Sequence, residues 1–213
     1  MKSKIAVIHE DDQILIVAKP AGVYTIDQRF NKDALSLKAR LEMNRDKLFI
    51  VHRLDKDTSG VIIFAKDADS HRDLSLQFQN REIEKYYLAF VERTPSSNEG
   101  VIEEPLAESM STRGKMLINK RGKYAKSKYE VIESFDDFSL MRVQIFTGRL
   151  HQIRVHLASI GHPLLIDSLY GSRTGFFLSE IKKRKFKNNK FEEERPLLER
   201  HTLHAHEIVF RHP

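Results

Sequence analysis

The chain has 213 residues, 40% of them hydrophobic, which is enough for a sizeable folded core and excludes a disordered chain. It contains no cysteine, and this excludes disulfides, thiolate metal sites, iron–sulfur clusters and cysteine catalysis. The 36 Lys and Arg exceed the 30 Asp and Glu, giving a formal net charge of +6 that suits a polyanionic partner.

The N-terminal sequence MKSKIAVIHEDD lacks the apolar stretch and small-residue cleavage site of a signal peptide. No run approaches the roughly 20 apolar residues that cross a bilayer. We therefore expect a cytoplasmic protein that makes no contact with a membrane.

Strand patterns dominate the chain. Residues 14–18 and 61–65 are continuous apolar runs, and residues 85–91 are rich in aromatic side chains. Apolar and polar residues alternate in 127–134 and again in 141–145, with a Phe-Asp-Asp turn between them. This alternation predicts an antiparallel hairpin with one buried face.

Three helices are predicted. The first begins near Asp33 as its N-cap, and the second spans about residues 69–79. The third begins at Arg149 and ends at Gly161 and Pro163. In it, Leu150, Ile153, Leu157 and Ile160 form one buried stripe, which leaves Arg149, His151, Gln152, Arg154 and His156 on its flanks and outer face.

These elements predict a single α+β domain over residues 1–213, with a mixed, largely antiparallel sheet flanked by helices. Residues 173–200 form a basic insertion or loop within it. Its densest part, KKRKFKNNKF at 182–191, suits a solvated loop or an RNA-contacting arm, and a nuclear localisation signal is a third possibility.

Residues 51–60 read VHRLDKDTSG and lead into the apolar run 61–65. This places Asp55 at the mouth of a buried strand, two residues after Arg53. A carboxylate there is partly shielded from water, and a guanidinium is at hand to keep it ionised. The pattern is typical of a nucleophile, although Asp55 and Asp57 are also residue types that form turns.

The run 51–60 resembles the signature of the RluA family of pseudouridine synthases, His-Arg-Leu-Asp, two variable residues, then Thr-Ser-Gly. Four further stretches are similar to the family in the same order, so the resemblance covers nearly all of residues 14–213. They are ILIVAKPAGV (14–23), KYYLAFV (85–91), TGRLHQIRVHLASIGHPLLIDSLYG (147–171) and LHAHEIVFRHP (203–213).

The resemblance implies a pseudouridine synthase fold, a curved sheet with the catalytic cleft across its middle. It implies an isomerase that converts specific uridines of ribosomal or transfer RNA to pseudouridine on a flipped-out base. It also implies that Asp55 is the catalytic aspartate and that Arg154 is its salt-bridge partner. Tyr87 is the aromatic residue that stacks on the flipped uracil, and its hydroxyl is a candidate proton donor or acceptor.

By the same resemblance Arg53 holds the RNA open, and Lys19, Arg149 and His151 are candidate phosphate contacts. The reaction needs no redox change or group donor, so we expect no cofactor and no metal, with RNA as the partner of a monomer. We expect no separate N-terminal RNA-binding domain, because the catalytic fold begins by Ile14.

Three positions depart from the family pattern. Leu150 stands where a small polar residue is usual, no glycine precedes Asp167, and Tyr24-Thr25 replaces a Val-His pair. These differences concern which RNA is bound more than the chemistry.

Two other functions remain open. One is a non-catalytic RNA-binding protein or RNA chaperone on the same fold. The other is a metal-dependent hydrolase built from the C-terminal histidines, although their spacing matches no zinc pattern. Those histidines are His201, His204, His206 and His212.

Overall fold

The computed structural model describes residues 5–27, 35–183 and 193–213. Within them, one sheet runs in the order β1-β2-β4-β11-β5-β10-β9-β6, with β3 paired to β4, and a separate pair is formed by β7 and β8. The strands are β1 (Ala6–Glu10), β2 (Ile14–Lys19), β3 (Phe49–Ile50), β4 (Ser59–Ala65), β5 (Glu84–Glu92), β6 (Glu99–Ile102), β7 (Leu106–Glu108), β8 (Met116–Ile118), β9 (Ser127–Ser134), β10 (Phe138–Ile145) and β11 (Leu203–Val209). The helices are α1 (Leu37–Glu42), α2 (Ala68–Asn80), α3 (Gln152–Ser159) and α4 (Leu178–Lys182).

Strand β4 is covered on both faces, as its unbroken apolar sequence predicts. Ile62 and Phe64 belong to the main core, whereas Ile63 and Ala65 pack in a second cluster with Leu74 of α2. Apolar cover on both sides explains why β4 reads as a continuous apolar run and not as an alternation. The rigid strand that follows Asp55 is therefore anchored in two cores.

The sheet is mixed and largely antiparallel, which confirms the predicted class. Its parallel step joins β4 to β11, where His204 pairs with Ser59 and Ala205 with Gly60. Gly60 has φ +120°, and a Cβ there would lie 2.1 Å from the carbonyl oxygen of Ala205. Only glycine fits this approach, and it brings the end of the 51–60 segment against the start of β11.

The predicted hairpin of β9 and β10 is confirmed, with Val143 opposite Tyr129 and both side chains buried. Helix α2 is confirmed and is capped by the Asp67 side chain. Helix α1 begins later than expected, because Ser36 and not Asp33 caps it. Asp33 lies outside the described residues.

Helix α3 differs from its prediction. It begins at Gln152, after His151 in a left-handed conformation with φ +53°, and Ile160 beyond its end is exposed. Gln152, Arg154 and His156 are buried, not on an outer face. A helix with packing on all sides must pair its polar groups. His156 does so with Ser127 (3.0 Å) and the Glu104 carbonyl (3.0 Å).

The basic stretch predicted at 182–191 falls mostly on residues 184–192, which lie outside the described residues. Helix α4 ends at Lys182, the first residue of this stretch. Within the described part of the chain, no helix combines the length and the apolar character that crossing a membrane requires.

Candidate active site

Asp55 lies in the turn before β4, at the junction of two adjoining cavities of about 460 and 130 Å³. Its side chain is 27% exposed. The Asp55 carbonyl accepts a hydrogen bond from the N–H of Thr58, 3.2 Å away, which closes the turn. A carboxylate fixed on a short turn at the end of a buried strand is held in one place and still reaches the cleft.

Arg154 lies beside Asp55, but its shortest contacts go elsewhere. Its Nη1 is 3.7 Å from Asp55 Oδ2, whereas Nε and Nη2 each lie 2.7 Å from a carboxylate oxygen of Asp167. Two guanidinium nitrogens of Arg154, Nε and Nη2, therefore donate to Asp167 in a bidentate pair. The predicted ion pair between Arg154 and Asp55 is present at 3.7 Å, and Asp167 is a second, bidentate partner that the prediction did not include.

Asp167 is 1% exposed and takes two further hydrogen bonds, from the backbone N–H groups of Leu169 and Tyr170. Burial raises the pKa of the Asp167 carboxyl, but the Arg154 guanidinium and these N–H groups outweigh burial, and the pKa lies below its usual range. Burial opposes the charge of Arg154, yet the neighbouring carboxylates raise its pKa. Asp167 and Arg154 therefore form a charged pair, with Arg154 next to Asp55.

His151 faces Asp55 from the start of α3. Its Nε2 is 3.7 Å from Asp55 Oδ2, and its Nδ1 is 2.9 Å from the hydroxyl of Tyr170. The phosphate contact expected of His151 stays a prediction, and the structure directs its Nε2 at the Asp55 carboxylate.

Tyr86 and Tyr87 point to opposite faces of β5. Tyr87 is 9% exposed and lines the smaller cavity with Asp55, whereas Tyr86 packs on Arg142 at 4.1 Å on the other face. Burial, and then the negative charge of Asp55, raise the pKa of the Tyr87 hydroxyl. It stays protonated at neutral pH, so it is a hydrogen-bond donor and not a base.

Lys19 does not reach solvent, and the prediction of a phosphate contact there is wrong. It is 1% exposed, and its ammonium lies 2.7 Å from the Val23 carbonyl, 2.8 Å from that of Lys56 and 3.1 Å from that of Pro20. Burial lowers the pKa of Lys19 to about 8, against the raising effects of Asp57 and Asp55. The ammonium remains protonated at pH 7 and ties the turn that carries Asp55 to the turn after β2.

The two other predicted contacts lie at the edges of the cleft. Arg53 is exposed and lines both cavities. Arg149 is half-buried at the rim of the smaller one, where its Nε donates to the Tyr124 carbonyl at 3.0 Å. Thr25, at a position that departs from the family pattern, is hydrogen-bonded to both the carbonyl and the N–H of Leu54, so it holds the residue before Asp55.

The family model for RNA pseudouridylate synthase matches residues 13–159. This chain belongs to the RNA pseudouridylate synthase family. The matched residues include Asp55, Tyr87 and Arg154. The family assignment confirms the pseudouridine synthase fold that the sequence predicted.

Curated relatives are consistent with that assignment. The chain is 33% identical to the dual-specificity RNA pseudouridine synthase RluA of Escherichia coli strain K12, over 98% of this chain and 88% of that protein. It is 37% identical to an uncharacterised RNA pseudouridine synthase of Aquifex aeolicus, over 83% of this chain and 59% of that one. Against that relative and several others the chain spans about half to two thirds of their length.

Two solved human structures share the fold. RNA pseudouridylate synthase domain containing 1 superposes with a TM-score of 0.73 at 24% identity, covering 95% of this chain and 76% of that one. Domain containing 4 gives a TM-score of 0.72 at 26% identity, covering 95% and 83%.

Some residues of this pseudouridine synthase family site have no individual signal in the sequence. Asp167 and Tyr170, in the segment after α3, contact Arg154 and His151, and His201, just before β11, lines the larger cavity. His201 is 8% exposed, and its Nε2 lies 2.9 Å from the Thr58 hydroxyl. Burial, followed by the charge of Arg154, lowers the pKa of His201 to about 4, so this histidine is neutral.

The histidines considered for a metal do not converge. His204 and His206 share the exposed face of β11, and His201 is turned to Thr58. Among residues 5–27, 35–183 and 193–213, no group of three or more His, Asp or Glu side chains is placed to bind a metal ion.

Proposed function

We propose that this protein isomerises uridine in RNA to pseudouridine, with Asp55 as the catalytic carboxylate. The observation that carries the proposal is the placement of Asp55, a partly exposed carboxylate at the junction of two cavities, with the Arg154 guanidinium, the His151 imidazole and the Tyr87 ring around it. A carboxylate in these surroundings is placed to act as a nucleophile or a base.

The reaction is balanced within the nucleotide. The N1–C1′ bond of uridine breaks, the uracil turns, and a C5–C1′ bond forms, while C5 loses a hydrogen and N1 gains one. No redox partner or group donor enters. Asp55 acts either on the sugar or ring as a nucleophile or on the C5 proton as a base. A base inside an RNA stack must first be everted to reach Asp55.

Tyr87 suits a role beside the everted base. It is the aromatic ring of the smaller cavity, and stacking of a base on an aromatic side chain contributes roughly 1–3 kcal/mol. The Tyr87 hydroxyl stays protonated. It therefore offers a hydrogen-bond donor in the cavity that the Asp55 side chain also lines. Arg53, exposed at the mouth of both cavities, is placed to occupy the space that the everted base leaves.

A second surface suits the RNA backbone. We define the basic hairpin as residues 106–123, which contain β7, β8 and the turn between them. Residues 109–123 include no Asp or Glu, and five of them are Lys or Arg. None of these five makes an ion pair with another described residue. They are Arg113, Lys115, Lys120, Arg121 and Lys123.

The basic hairpin packs against α3, the helix that carries Arg154, through β8. Cations without an ion-pair partner, on a hairpin that packs against α3, suit the phosphates that flank an everted nucleotide. The basic hairpin would bind RNA in addition to the basic insertion at 173–200. Two residues of that insertion, Arg173 and Arg200, line the larger cavity.

The remaining expectations belong to the same proposal: a single catalytic domain over residues 1–213, a monomer in the cytoplasm, no cofactor, and ribosomal or transfer RNA as substrate. The charge and the cleft alone would also suit a non-catalytic RNA-binding protein. The arrangement around Asp55 favours the enzyme, because a passive binding surface has no use for a fixed carboxylate facing an anionic ligand.

The test is pseudouridine mapping across total RNA from cells with the gene, without it, and with it restored. We expect one or a few uridines to be unmodified only in the cells that lack the gene. Mapping that finds every pseudouridine in place without the gene, in both ribosomal and transfer RNA, would overturn the proposal.

A further inference from the structure

The hydroxyl of Tyr170 joins β8 to His151. The backbone N–H of Met116 lies 2.8 Å from this hydroxyl, and the Nδ1 of His151 lies 2.9 Å from it. A backbone N–H only donates, so the phenolic oxygen accepts from Met116. Among the described residues, the other hydrogen-bond partner of the hydroxyl is His151, and the phenolic proton is the donor in that bond when Nδ1 carries no hydrogen.

A neutral imidazole that accepts at Nδ1 carries its hydrogen on Nε2. That Nε2 is the atom 3.7 Å from Asp55 Oδ2. An N–H facing a carboxylate is attractive, whereas a bare nitrogen lone pair there would be repelled. The end of the ring that faces Asp55 therefore favours the Nε2–H tautomer, and the phenolic proton of Tyr170 then completes the bond at Nδ1.

We infer that Tyr170 is a positioning residue that fixes His151 as the Nε2–H tautomer, so that a neutral donor faces Asp55. Its value for turnover rests on the proposed function of Asp55. Arg154 is anchored on Asp167 through Nε and Nη2, and His151 Nε2 lies as close to Asp55 Oδ2 as the remaining Arg154 Nη1 does, 3.7 Å. A movement of roughly an ångström or less brings Nε2 within hydrogen-bond range of the carboxylate.

The ring of Tyr170 supports the same centre. It stands edge-on to His151 at 80°, with ring centroids 5.7 Å apart, and the Arg154 guanidinium lies 5.0 Å from its centroid. Tyr170 therefore orients both groups that approach Asp55, one through its hydroxyl and one through its ring.

The charges around His151 agree with a neutral ring. The groups that act on it are Asp55 and Arg53 from the segment before β4, Arg154 of α3, and Asp167 after α3. Burial is the largest influence and lowers the pKa of His151, and the two cations lower it as well. The two carboxylates raise it but do not overcome burial, so the pKa lies below its usual range.

The direct test is nuclear magnetic resonance of protein labelled with ¹⁵N in its histidine rings, since the nitrogen shifts of an imidazole differ between its tautomers. The His151 signals are those that disappear in His151→Gln. At pH 7 we expect Nε2–H in the wild type and a loss of this preference in Tyr170→Phe. A wild-type His151 that is Nδ1–H, or doubly protonated, would overturn the inference, even if Tyr170→Phe does not fold.

A kinetic cycle tests the consequence. Tyr170→Phe keeps the ring and removes one hydrogen bond, so we expect kcat to fall about tenfold with little change in KM for RNA. The amide of His151→Gln offers an N–H near the same place without help from Tyr170. We therefore expect Tyr170→Phe to have no further effect in the His151→Gln background.

An equal loss of kcat in both backgrounds would mean that Tyr170 acts through β8 alone, which contradicts the inference. The outcome is separable from the proposed function. If the wild type forms no pseudouridine, the isomerase proposal fails, whereas the tautomer is decided by the spectrum.

Discussion

The charged residues around Asp55 and those of the basic hairpin differ in burial. Beneath Asp55, Arg154 is 5% exposed, and Asp167 and Lys19 are each 1% exposed. In the basic hairpin the cations are exposed or half-buried and make no ion pair with a described residue. Buried charges need ion pairs or hydrogen bonds to offset their lost hydration, while exposed ones are free for a partner. The first cluster therefore serves the carboxylate, and the second suits RNA.

The largest effect expected from breaking the first cluster is on turnover. Asp55→Asn removes the charge and almost no volume, so the fold and the RNA affinity are retained. We expect pseudouridine formation to fall by on the order of 10⁴-fold or more, a loss typical of removing a group that acts in the chemical step. Single-turnover assays beside binding measurements check this. Turnover near the wild-type rate would remove Asp55 from the mechanism.

Arg154→Met should cost the most stability, because it leaves Asp167 charged and buried without its partner. We expect the free energy of unfolding to fall by about 3–5 kcal/mol, measured by urea denaturation at pH 7. The matched control is Arg154→Met with Asp167→Leu, which removes both charges. We expect this pair to recover most of the stability but none of the turnover.

The pH dependence of the same variant has a definite sign. In the wild type the lowered pKa of Asp167 stabilises the fold above the usual carboxyl pKa, and this contribution is lost as the pH falls through the lowered value. In Arg154→Met, burial without the guanidinium raises that pKa, so protonation relieves the penalty. We expect the stability gap between the two proteins to narrow from pH 7 to pH 5. A gap that widens would contradict the buried pair.

Lys19→Met separates a structural lysine from a phosphate contact. It leaves the carbonyls of Pro20, Val23 and Lys56 without their donor, and we expect the free energy of unfolding to fall by about 1–3 kcal/mol. The salt dependence of RNA binding should not change. Unaltered stability with a shallower salt dependence would restore the phosphate role.

The smallest effect on the folded protein is expected in the basic hairpin. Lys120→Ala with Arg121→Ala should leave the melting temperature unchanged and weaken RNA binding, because exposed cations release counterions from phosphates. We expect the slope of log affinity against log salt to fall in magnitude by about 1.5–2. Turnover at saturating RNA should persist.

The control for that variant removes two cations from another part of the surface, Lys47→Ala with Arg72→Ala. Arg72 is on α2, which packs on β3 and β4. If both double variants weaken binding equally, net charge and not the hairpin accounts for the affinity.

Local sequence patterns predict part of the fold and part of the site. The strand β4, the hairpin of β9 and β10 and the position of Asp55 follow from local patterns, because an apolar run or a two-residue period reports directly on burial. The surroundings of α3 were not predictable from its own residues. Whether Arg154 and His156 face water depends on Asp167 in the segment after α3, and on Ser127 of β9 and the Glu104 carbonyl, which pair with His156.

Lys19 and Asp167 illustrate the same limit. A lysine before a turn reads as exposed, and only the fold brings three carbonyls to its ammonium. Asp167 takes the fork of Arg154 because α3 and the following loop fold back on each other. Pairings of buried charges are set by tertiary contacts that no local period encodes.

The structure of Asp55→Asn bound to a uridine-containing RNA tests most directly whether Asp55 meets an everted base. We expect the target uridine out of the stack, with its reacting atoms within about 3.5 Å of the residue 55 side chain and its ring against Tyr87. An RNA bound with every uridine stacked, or an everted base that lies outside the cleft, would contradict the assignment of Asp55.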